Sequence, residues 1–478
     1  MAHDSLKVYI ETYGCQMNVS DSELVSRLLQ DDAHVIQPEI DGADVVLVNT
    51  CAVREGAEQR VIGQLASWKR LKQERPDMIL GVLGCMSTHL SEKLAESLPH
   101  VDLIMGPDQY RRLPGAIRDL VVGREAQVIL TRRDRTENYE DIYPSRREGV
   151  NAWVTVMRGC DNMCTFCIVP FTRGRERSRG VASVVEECRR LATEGFREVT
   201  LLGQNVNSYR DADWRPGAVV DAGHADGARF PELLHAVSEV PGLDRIRFTS
   251  PHPKDFSEAL IRQMAGNKKV CKHMHLPMQA GNDRVLQLMR REYTHQEFAE
   301  LVDRARAAMP DMGFSTDIIV GFPTETGEEF RDTLRLVERV RFDSAFTFEY
   351  SPREGAPSAR WVDDVPPTEK NRRLQELLVL QRRITEEKAA ACQGLEYEVL
   401  IESTSKKSDL ELMGRTTCNR VLVVPADPRL KPGVMVTARV EEVSSFTLRG
   451  AVTQIEGRTP QGPAPTPATI ALNQPRGA

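Results

Sequence analysis

The sequence lacks the features that would place the chain in or across a membrane. None of its 478 residues belongs to a run approaching the ~20 consecutive apolar residues that a membrane-spanning helix needs. The first residues lead directly into a strand pattern, without the apolar core of a signal peptide. We therefore expect a cytoplasmic protein with no membrane partner. Its ten cysteines should be reduced and should serve metal or redox chemistry rather than disulfides.

A surplus of positive charge is also missing. The chain has 63 Lys and Arg against 69 Asp and Glu, which gives a formal net charge of −6. Composition therefore gives no support for a nucleic-acid partner, and local patches would have to bind any nucleic acid.

The N-terminal part of the chain, residues 6–122, reads as an α/β domain. Its short apolar runs at 7–12, 44–49 and 78–83 are typical of buried parallel strands. Helical patterns follow them, with Ser20 as the predicted cap of the first helix. The alternation predicts a βαβ sheet with helices on its faces.

Two more domains are predicted after a linker at 123–145. Residues 146–376 contain six strand-then-helix units, which predict a (β/α)6 partial barrel whose open side admits a large substrate. Residues 381–455 contain five short strand patterns and predict a small all-β barrel. Pro, Ala and Gly dominate residues 457–478, which predicts a disordered tail. About three domains also suit the length of the chain.

Three cysteines stand close together at the start of the central domain. Cys160, Cys164 and Cys167 have CxxxCxxC spacing, with no fourth cysteine or histidine near them. A structural zinc site requires a fourth ligand at short range, so the spacing disfavours a zinc knot. A 4Fe-4S cluster also has four ligand positions, and three cysteines leave one iron open to something that is not protein. The spacing favours this second interpretation.

Three further cysteines follow the three predicted N-terminal strands. Cys15, Cys51 and Cys85 each stand where a strand pattern ends. Ligand sites in open α/β sheets lie beyond the carboxyl ends of the strands, so these cysteines are predicted to converge on a second metal site. Its open iron could hold sulfide or a methylated sulfide. The alternative, that each is a small buried hydrophobe, explains one such cysteine better than three.

The turns that follow the central strands supply candidate cofactor contacts. Barrel enzymes carry their chemistry at this face, although ordinary turn chemistry explains any single glycine equally well. The candidates are Gly203, Gln204, Asn205, Ser250, Gln279 and Gly321.

Four arginines follow the CxxxCxxC loop. Arg173, Arg175, Arg177 and Arg179 stand close to Phe171, and together they could bind phosphates and stack on a splayed base. They are predicted RNA contacts. A solvated, salt-bridged surface loop is the alternative interpretation.

These motifs resemble the radical S-adenosylmethionine (SAM) methylthiotransferases over essentially the whole chain except its tail. The branch that modifies N6-isopentenyladenosine in tRNA is similar at residues 13–18 (YGCQMN), 167–179 (CIVPFTRGRERSR) and 202–209 (LGQNVNSY). One departure is QAGN at residues 279–282, where the family has QSGS. It puts Ala280 and Asn282 in doubt as SAM contacts.

The resemblance implies two 4Fe-4S clusters, SAM as cofactor and a C-terminal TRAM domain. It assigns the catalytic cluster to Cys160, Cys164 and Cys167, and an auxiliary cluster to Cys15, Cys51 and Cys85. The first cluster cleaves SAM to a 5′-deoxyadenosyl radical. A methylthio group then passes from the auxiliary cluster to C2 of N6-isopentenyl (dimethylallyl) adenosine, next to the tRNA anticodon.

The resemblance also implies partners and alternatives. We expect a monomer that binds the tRNA anticodon stem-loop, an electron donor such as a flavodoxin or ferredoxin, and an unidentified sulfur donor. A sister methylthiotransferase acting on threonylcarbamoyl-adenosine or on a ribosomal-protein aspartate is one alternative. A non-catalytic iron–sulfur RNA-binding protein is the other.

Overall fold

A computed structural model describes residues 5–52, 55–146, 149–214, 227–444 and 446–456. The tail predicted at 457–478 lies outside these ranges. The described chain folds into three units in sequence order, and the predicted α/β class with a C-terminal all-β barrel is confirmed.

The N-terminal unit is built on one parallel sheet of six strands, in the order β2-β1-β3-β4-β5-β6. Strands β3 and β4 are buried along their whole length, because helices cover both faces of the sheet. The strands are β1 (Lys7–Thr12), β2 (Val35–Gln37), β3 (Val45–Thr50), β4 (Ile79–Gly84), β5 (Leu103–Met105) and β6 (Val128–Leu130).

Strand β6 corrects the predicted linker. It pairs with β5 and so adds a strand to the N-terminal sheet from within residues 123–145. Three residues with only partial burial carry too weak a periodicity to stand out in the sequence.

Six helices pack on this sheet. They are α1 (Gln16–Asp31), α2 (Glu55–Ser67), α3 (Lys69–Glu74), α4 (Cys85–His89), α5 (Ser91–Ser97) and α6 (Leu113–Val121). Helix α1 begins four residues before the predicted cap, because Cys15 occupies the N-cap and Ser20 lies buried inside the helix.

The central unit is a six-stranded partial barrel, as predicted. Two three-stranded parallel sheets, β13-β10-β7 and β14-β15-β16, are joined by a bridge between Ile246 and Val270. The barrel strands are β7 (Asn151–Thr155), β10 (Glu198–Leu202), β13 (Arg245–Phe248), β14 (His273–His275), β15 (Gly313–Val320) and β16 (Ser344–Glu349). Two short ribbons accompany them, formed by β8 (Met157–Arg158) with β9 (Arg177–Ser178) and by β11 (Arg210–Asp211) with β12 (Ala228–Arg229).

Helices connect these strands and bury their outward side chains in the largest hydrophobic core of the molecule. They are α7 (Val169–Thr172), α8 (Val181–Thr193), α9 (Phe230–Ser238), α10 (Glu258–Gly266), α11 (Asp283–Leu288), α12 (His295–Ala308) and α13 (Gly327–Val340), followed by α14 (Pro367–Ala390). Four single-turn helices lie at Tyr110–Arg112, Val206–Ser208, Pro253–Asp255 and Pro357–Arg360.

The C-terminal unit is a closed five-stranded barrel in the order β17-β18-β19-β21-β20. Its strands are β17 (Glu396–Ser405), β18 (Ser408–Thr416), β19 (Val421–Pro425), β20 (Met435–Val443) and β21 (Thr447–Ile455). Arg245 of β13 anchors this barrel to the central unit. Its buried guanidinium donates to the Glu398 carboxylate at 2.9 Å and to the backbone carbonyl of Glu398 at 3.0 Å.

A buried ionic cluster joins the first two units. The carboxylate of Asp21, on α1, has no exposed surface and accepts hydrogen bonds from Arg158 at 2.8 Å and Arg173 at 2.7 Å. Both arginines belong to the central unit, so this cluster fixes the N-terminal sheet against the loop that carries Cys160.

Candidate metal centres

The structure brings Cys15, Cys51 and Cys85 together, and we call them the N-terminal triad. They stand directly beyond β1, β3 and β4, which are neighbours in the sheet. A hydrogen bond from Cys51 and the charge of Arg173 lower the pKa of Cys15. The charge of Cys15 acts in turn on Cys85. Three residues far apart in sequence therefore form one sulfur-lined site, because parallel strands end at the same edge of a sheet.

Close packing at Cys51 explains the glycine before Cys15. Gly14 has a φ of +124°, and a Cβ at this position would lie 2.5 Å from the Cβ of Cys51. No side chain fits there, so only glycine lets the turn after β1 approach the Cys51 strand.

Two buried asparagines, which our sequence reasoning missed, support the N-terminal triad. The Asn18 side-chain oxygen accepts hydrogen bonds from the Cys15 backbone N–H at 3.3 Å and from the Cys15 thiol at 3.4 Å. Asn49 in turn accepts from the Asn18 amide at 3.2 Å and donates to the Asn18 carbonyl at 2.9 Å. Both residues lie within three positions of a triad cysteine, and that proximity is the signal that could have identified them.

Cys160, Cys164 and Cys167 form the loop triad, on the segment between β8 and α7. The backbone N–H of Cys167 donates to the Cys164 carbonyl at 3.0 Å, and the N–H of Val169 donates to the Cys167 sulfur at 3.5 Å. These bonds curl the segment around the three sulfurs. At the start of the loop, the N–H of Cys160 donates to the Gly174 carbonyl at 3.1 Å.

The two triads are neighbours in space. Ile168, directly after the loop triad, packs against Cys85 and Ala52 of the N-terminal unit, and Phe171 packs against the same cluster. The charge of Cys85 also contributes to the raised pKa of Cys167. The sequence motifs contain no information about this juxtaposition, which depends on how the two units dock.

Each triad receives a hydrogen bond from one buried guanidinium. The Nε of Arg173 donates to the Cys85 sulfur at 3.1 Å, and the Nη1 of Arg291 donates to the Cys164 sulfur at 3.5 Å. Arg291 is a second contact that our sequence reasoning missed, because 124 residues separate it from Cys167. Positive donors beside sulfur stabilise thiolates and anionic sulfur clusters.

Burial opposes the ionisation of three triad thiols, those of Cys85, Cys160 and Cys167. It raises the pKa of Cys160 and of Cys167 to about 12, and it raises the pKa of Cys85 against the opposing charge of Arg173. These thiols are neutral near pH 7 and must lose protons when they ligate a metal. Binding of a metal or a cluster by these thiols would therefore release protons.

The donor set fits iron–sulfur clusters. Both triads consist of thiols only, which are the ligands that iron–sulfur clusters use. Within the described ranges, no group of three or more His, Cys, Asp or Glu side chains is arranged to hold a metal ion as it stands. All ten cysteines are free, and Cys188, Cys271, Cys392 and Cys418 are buried outside the triads.

The candidate cofactor residues lie at the carboxyl ends of the barrel strands, on the side of the loop triad. Gln204 is the most informative, since its buried amide oxygen and nitrogen both find no hydrogen-bond partner in the described chain. An amide in that state is a fit for a polar ligand. Asn205 instead donates to Asp255 at 2.8 Å, and Gly203 packs against Met157.

Three other candidates occupy backbone turns. Ser250, Gln279 and Gly321 have φ values of +60°, +66° and +70°. Gly321 packs against the side chain of Lys370, and its N–H donates to Glu325 at 2.6 Å. These residues shape the rim of the barrel, and their contact with SAM stays a prediction.

The departure at residues 279–282 has a structural role in this chain. Ala280 is fully buried, and the side chain of Asn282 caps α11 by accepting from the N–H groups of Arg284 and Val285.

The structure separates the four arginines predicted to contact RNA. Arg173, Arg177 and Arg179 are buried, and each forms an ion pair with a carboxylate. Their partners are, in the same order, Asp21, Asp108 and Glu187. Only Arg175 reaches solvent, with 74% of its side chain exposed, and it pairs with Asp161 at 2.6 Å. RNA contact stays a prediction for the run, and Arg175 is the member placed to make it.

Three family models match the chain. Residues 7–106 match the uncharacterized protein family UPF0004, residues 154–337 match the radical SAM superfamily, and residues 390–453 match the TRAM domain. Each match corresponds to one structural unit, although α6 and β6 of the N-terminal unit lie beyond the end of the first match.

Curated relatives cover nearly the whole chain. A tRNA-2-methylthio-N(6)-dimethylallyladenosine synthase of Porphyromonas gingivalis W83 is 44% identical over 94% of this chain and 95% of its own length. The enzyme of the same name from Carboxydothermus hydrogenoformans is 43% identical over 93% of this chain and 98% of its own length.

Solved structures share the fold at low identity. The radical SAM methyltransferase TsrM of Kitasatospora setae, with cobalamin and a 4Fe-4S cluster bound, superposes with a TM-score of 0.53 at 14% identity, covering 74% of each chain. The cobalamin-dependent radical SAM enzyme OxsB gives a TM-score of 0.51 at 12% identity, over 80% of this chain and 56% of that one. In the part of the chain that the structure describes, no helix is both long and apolar enough to cross a bilayer.

Proposed function

Since the chain belongs to the family of tRNA-2-methylthio-N(6)-dimethylallyladenosine synthases, we propose that it adds a methylthio group to C2 of N6-isopentenyladenosine in tRNA. The modified base lies next to the anticodon, and the reaction takes place in the cytoplasm. The observation that carries the proposal is the juxtaposition of two all-cysteine triads across one domain interface.

We assign one 4Fe-4S cluster to each triad. When bound, the loop cluster supplies the electron that cleaves SAM, and the N-terminal cluster supplies the sulfur. Each triad has three cysteines for four ligand positions, so each cluster keeps one iron for a ligand that is not a protein side chain. We assign Gln204 to a polar group of SAM, and its buried, unpartnered amide supports this assignment.

The protein positions these reactants. The α4–α7 contact and the buried Asp21 cluster hold the two triads next to each other, so a group transferred from one site to a base bound near the other would have a short path. Four of the six triad cysteines, Cys51, Cys85, Cys160 and Cys164, are buried, whereas Cys15 is exposed, so the N-terminal triad is open to solvent on the side of Cys15. A nucleotide in a single-stranded anticodon loop enters such a site at low cost, because its base is easily unstacked.

The TRAM barrel and Arg175 are the proposed tRNA contacts. Arg175 is exposed beside the loop triad, although its ion pair with Asp161 must open or be shared when a phosphate binds. An electron donor such as a flavodoxin or ferredoxin, an unidentified sulfur donor and a monomeric state complete the proposal.

Nucleoside mass spectrometry tests the substrate. A strain that lacks this gene should lose 2-methylthio-N6-isopentenyladenosine and accumulate the unmodified precursor, and the wild-type chain should restore it. The Cys188→Ala chain should restore the nucleoside as the wild-type chain does, because Cys188 is a buried cysteine outside both triads. It is the matched control for variants of the triad cysteines. Persistence of the methylthio nucleoside in the deletion strain would refute the substrate assignment.

Two cysteine variants test the division of labour. Cys160→Ala should abolish formation of 5′-deoxyadenosine from SAM, whereas Cys51→Ala should keep SAM cleavage and lose sulfur insertion. Iron and sulfide counts should fall by one cluster in each variant relative to Cys188→Ala. Identical behaviour of the two triad variants in both assays would contradict separate roles.

A further inference from the structure

Arg173 joins the two halves of the candidate site. It follows α7 in the central unit, is 3% exposed, and extends into the N-terminal triad. Its Nε donates to the Cys85 sulfur at 3.1 Å and its Nη2 donates to Asp21 at 2.7 Å. Its Nη1 is buried and finds no acceptor among the described residues.

A buried guanidinium N–H without an acceptor requires an explanation. Guanidinium groups have five N–H donors in a planar fork, and leaving a charged donor unsatisfied in the interior is costly. In Arg173, Nη1 belongs to the same rigid guanidinium plane as the Nε that donates to the Cys85 sulfur. Nη1 is therefore a further donor close to the N-terminal triad.

Arg291, the arginine at the loop triad, has no such spare donor. All three nitrogens of Arg291 are occupied, by Tyr293 at 3.0 Å, Pro277 at 3.0 Å and Cys164 at 3.5 Å. A spare donor is therefore a property of the arginine at the N-terminal triad and not of both thiol-binding arginines.

The charge around Arg173 favours an anion. Asp21 is shared between Arg158 and Arg173, so this pocket has one more guanidinium than carboxylate. Arg158 lies over the ring of Tyr139, with its guanidinium carbon 4.7 Å from the ring centroid. This cation–π contact partly stabilises the charge of Arg158. The Nε and Nη1 atoms of Arg158 are also buried without an acceptor among the described residues, so Arg173 is distinguished by its hydrogen bond to the Cys85 sulfur.

We propose that Arg173 binds an anionic sulfur ligand at the N-terminal centre, with Nε on the Cys85 sulfur and Nη1 on a sulfide or thiolate held at the open iron. The inference rests on the proposed function, since it requires a cluster on Cys15, Cys51 and Cys85. It goes further by assigning the group that recognises the sulfur to be transferred. Arg173 belongs to the central unit, so sulfur binding at the N-terminal centre depends on the docking of the central unit against the N-terminal unit.

The test uses hydrosulfide as the probe, in the Cys160→Ala background, where the N-terminal centre is the only cluster expected. Iron and sulfide counts first establish that this cluster is assembled. Hydrosulfide is then titrated anaerobically into the reduced protein, and the electron paramagnetic resonance spectrum is followed. We expect Arg173→Gln to weaken hydrosulfide binding roughly 10- to 100-fold, which corresponds to one charge-assisted hydrogen bond.

Arg158→Gln is the matched control. Each of the two arginine variants leaves Asp21 with one guanidinium partner and removes one buried charge, but only Arg173→Gln removes the sulfur contact. Arg173→Lys keeps the charge and should restore part of the affinity. It also keeps the proposal testable if Arg173→Gln fails to assemble the centre.

The outcomes separate the two proposals. If no cluster assembles in the Cys160→Ala protein, both the proposed function and this inference are overturned. If the cluster assembles and Arg173→Gln binds hydrosulfide as tightly as Arg158→Gln, the inference alone is overturned. A larger loss in Arg173→Gln, partly recovered in Arg173→Lys, supports it.

Discussion

Replacement of Asp21 by asparagine should destabilise the interface between the first two units. The Asp21 carboxylate has no exposed surface and is shared by Arg158 and Arg173, whose side chains are 4% exposed. The amide of asparagine has nearly the same shape but no charge, so both guanidinium groups lose their counter-ion. Breaking a buried ion pair by removal of one partner costs about 3–5 kcal/mol.

Urea unfolding measures this cost. A three-unit chain need not unfold in one step, so the first transition is the quantity to compare. With a denaturant slope of about 2 kcal/mol/M, a cost of about 4 kcal/mol lowers the midpoint of that transition by about 2 M. Asp161→Asn is the matched control, because it breaks an ion pair with Arg175 whose side chains are 42% and 74% exposed. Exposed pairs contribute about 0–1 kcal/mol, so its midpoint should move by less than about 0.5 M.

A double variant provides the decisive comparison. Asp21→Asn combined with Arg158→Gln leaves one uncompensated guanidinium instead of two, so it should be more stable than Asp21→Asn alone. Equal midpoint shifts for Asp21→Asn and Asp161→Asn, or no recovery in the double variant, would refute the reasoning from buried charge.

Two further predictions concern a buried carboxyl and the cluster loop. Burial raises the pKa of Glu23 to about 7, above its ordinary value, so stability present at low pH is lost as the pH rises through 7. Glu23→Gln should therefore increase the stability at pH 8 by up to about 3 kcal/mol, which is measured as a higher melting temperature, and should have a much smaller effect at pH 5; an equal effect at both pH values would contradict it. Gly159 has a φ of +77°, and a Cβ added at this position would lie 2.0 Å from the Arg175 carbonyl oxygen. Gly159→Ala should therefore displace Cys160 and lower the iron content by up to one cluster. Gly195→Ala is the control, because Gly195 also has a positive φ but no atom within 4 Å of its Cβ; equal iron content in both variants would count against the steric argument.

The periodic elements of the central and C-terminal units could be predicted from the sequence. The six barrel strands of the central unit and the five strands of the C-terminal barrel lie within the ranges predicted for them, residues 146–376 and 381–455. Long amphipathic helices and apolar strands carry a strong local signal. The short strands β2, β5 and β6 were missed, because three residues carry too little pattern to be distinguished from a loop.

The arginine run shows where local reading is insufficient. Four arginines in seven residues look like a phosphate-binding patch, yet three of them are buried against carboxylates. Two of those carboxylates, Asp21 and Asp108, belong to another unit of the chain, more than sixty residues away in sequence. Whether an arginine pairs with a carboxylate of the protein or stays free to bind a phosphate is therefore decided only when the units dock.

The sequence by itself determined the two sets of three cysteines and the order of the three units. Ligand count and strand spacing are local properties, so the spacing of Cys160, Cys164 and Cys167 and the strand ends at Cys15, Cys51 and Cys85 suffice for them. Only the tertiary structure decided that the two triads face each other, that Arg173 reaches from one unit to the thiol of the other, and that Asp21 holds it there. These contacts join residues 88 and 152 positions apart, and they depend on interdomain packing, which no local pattern encodes.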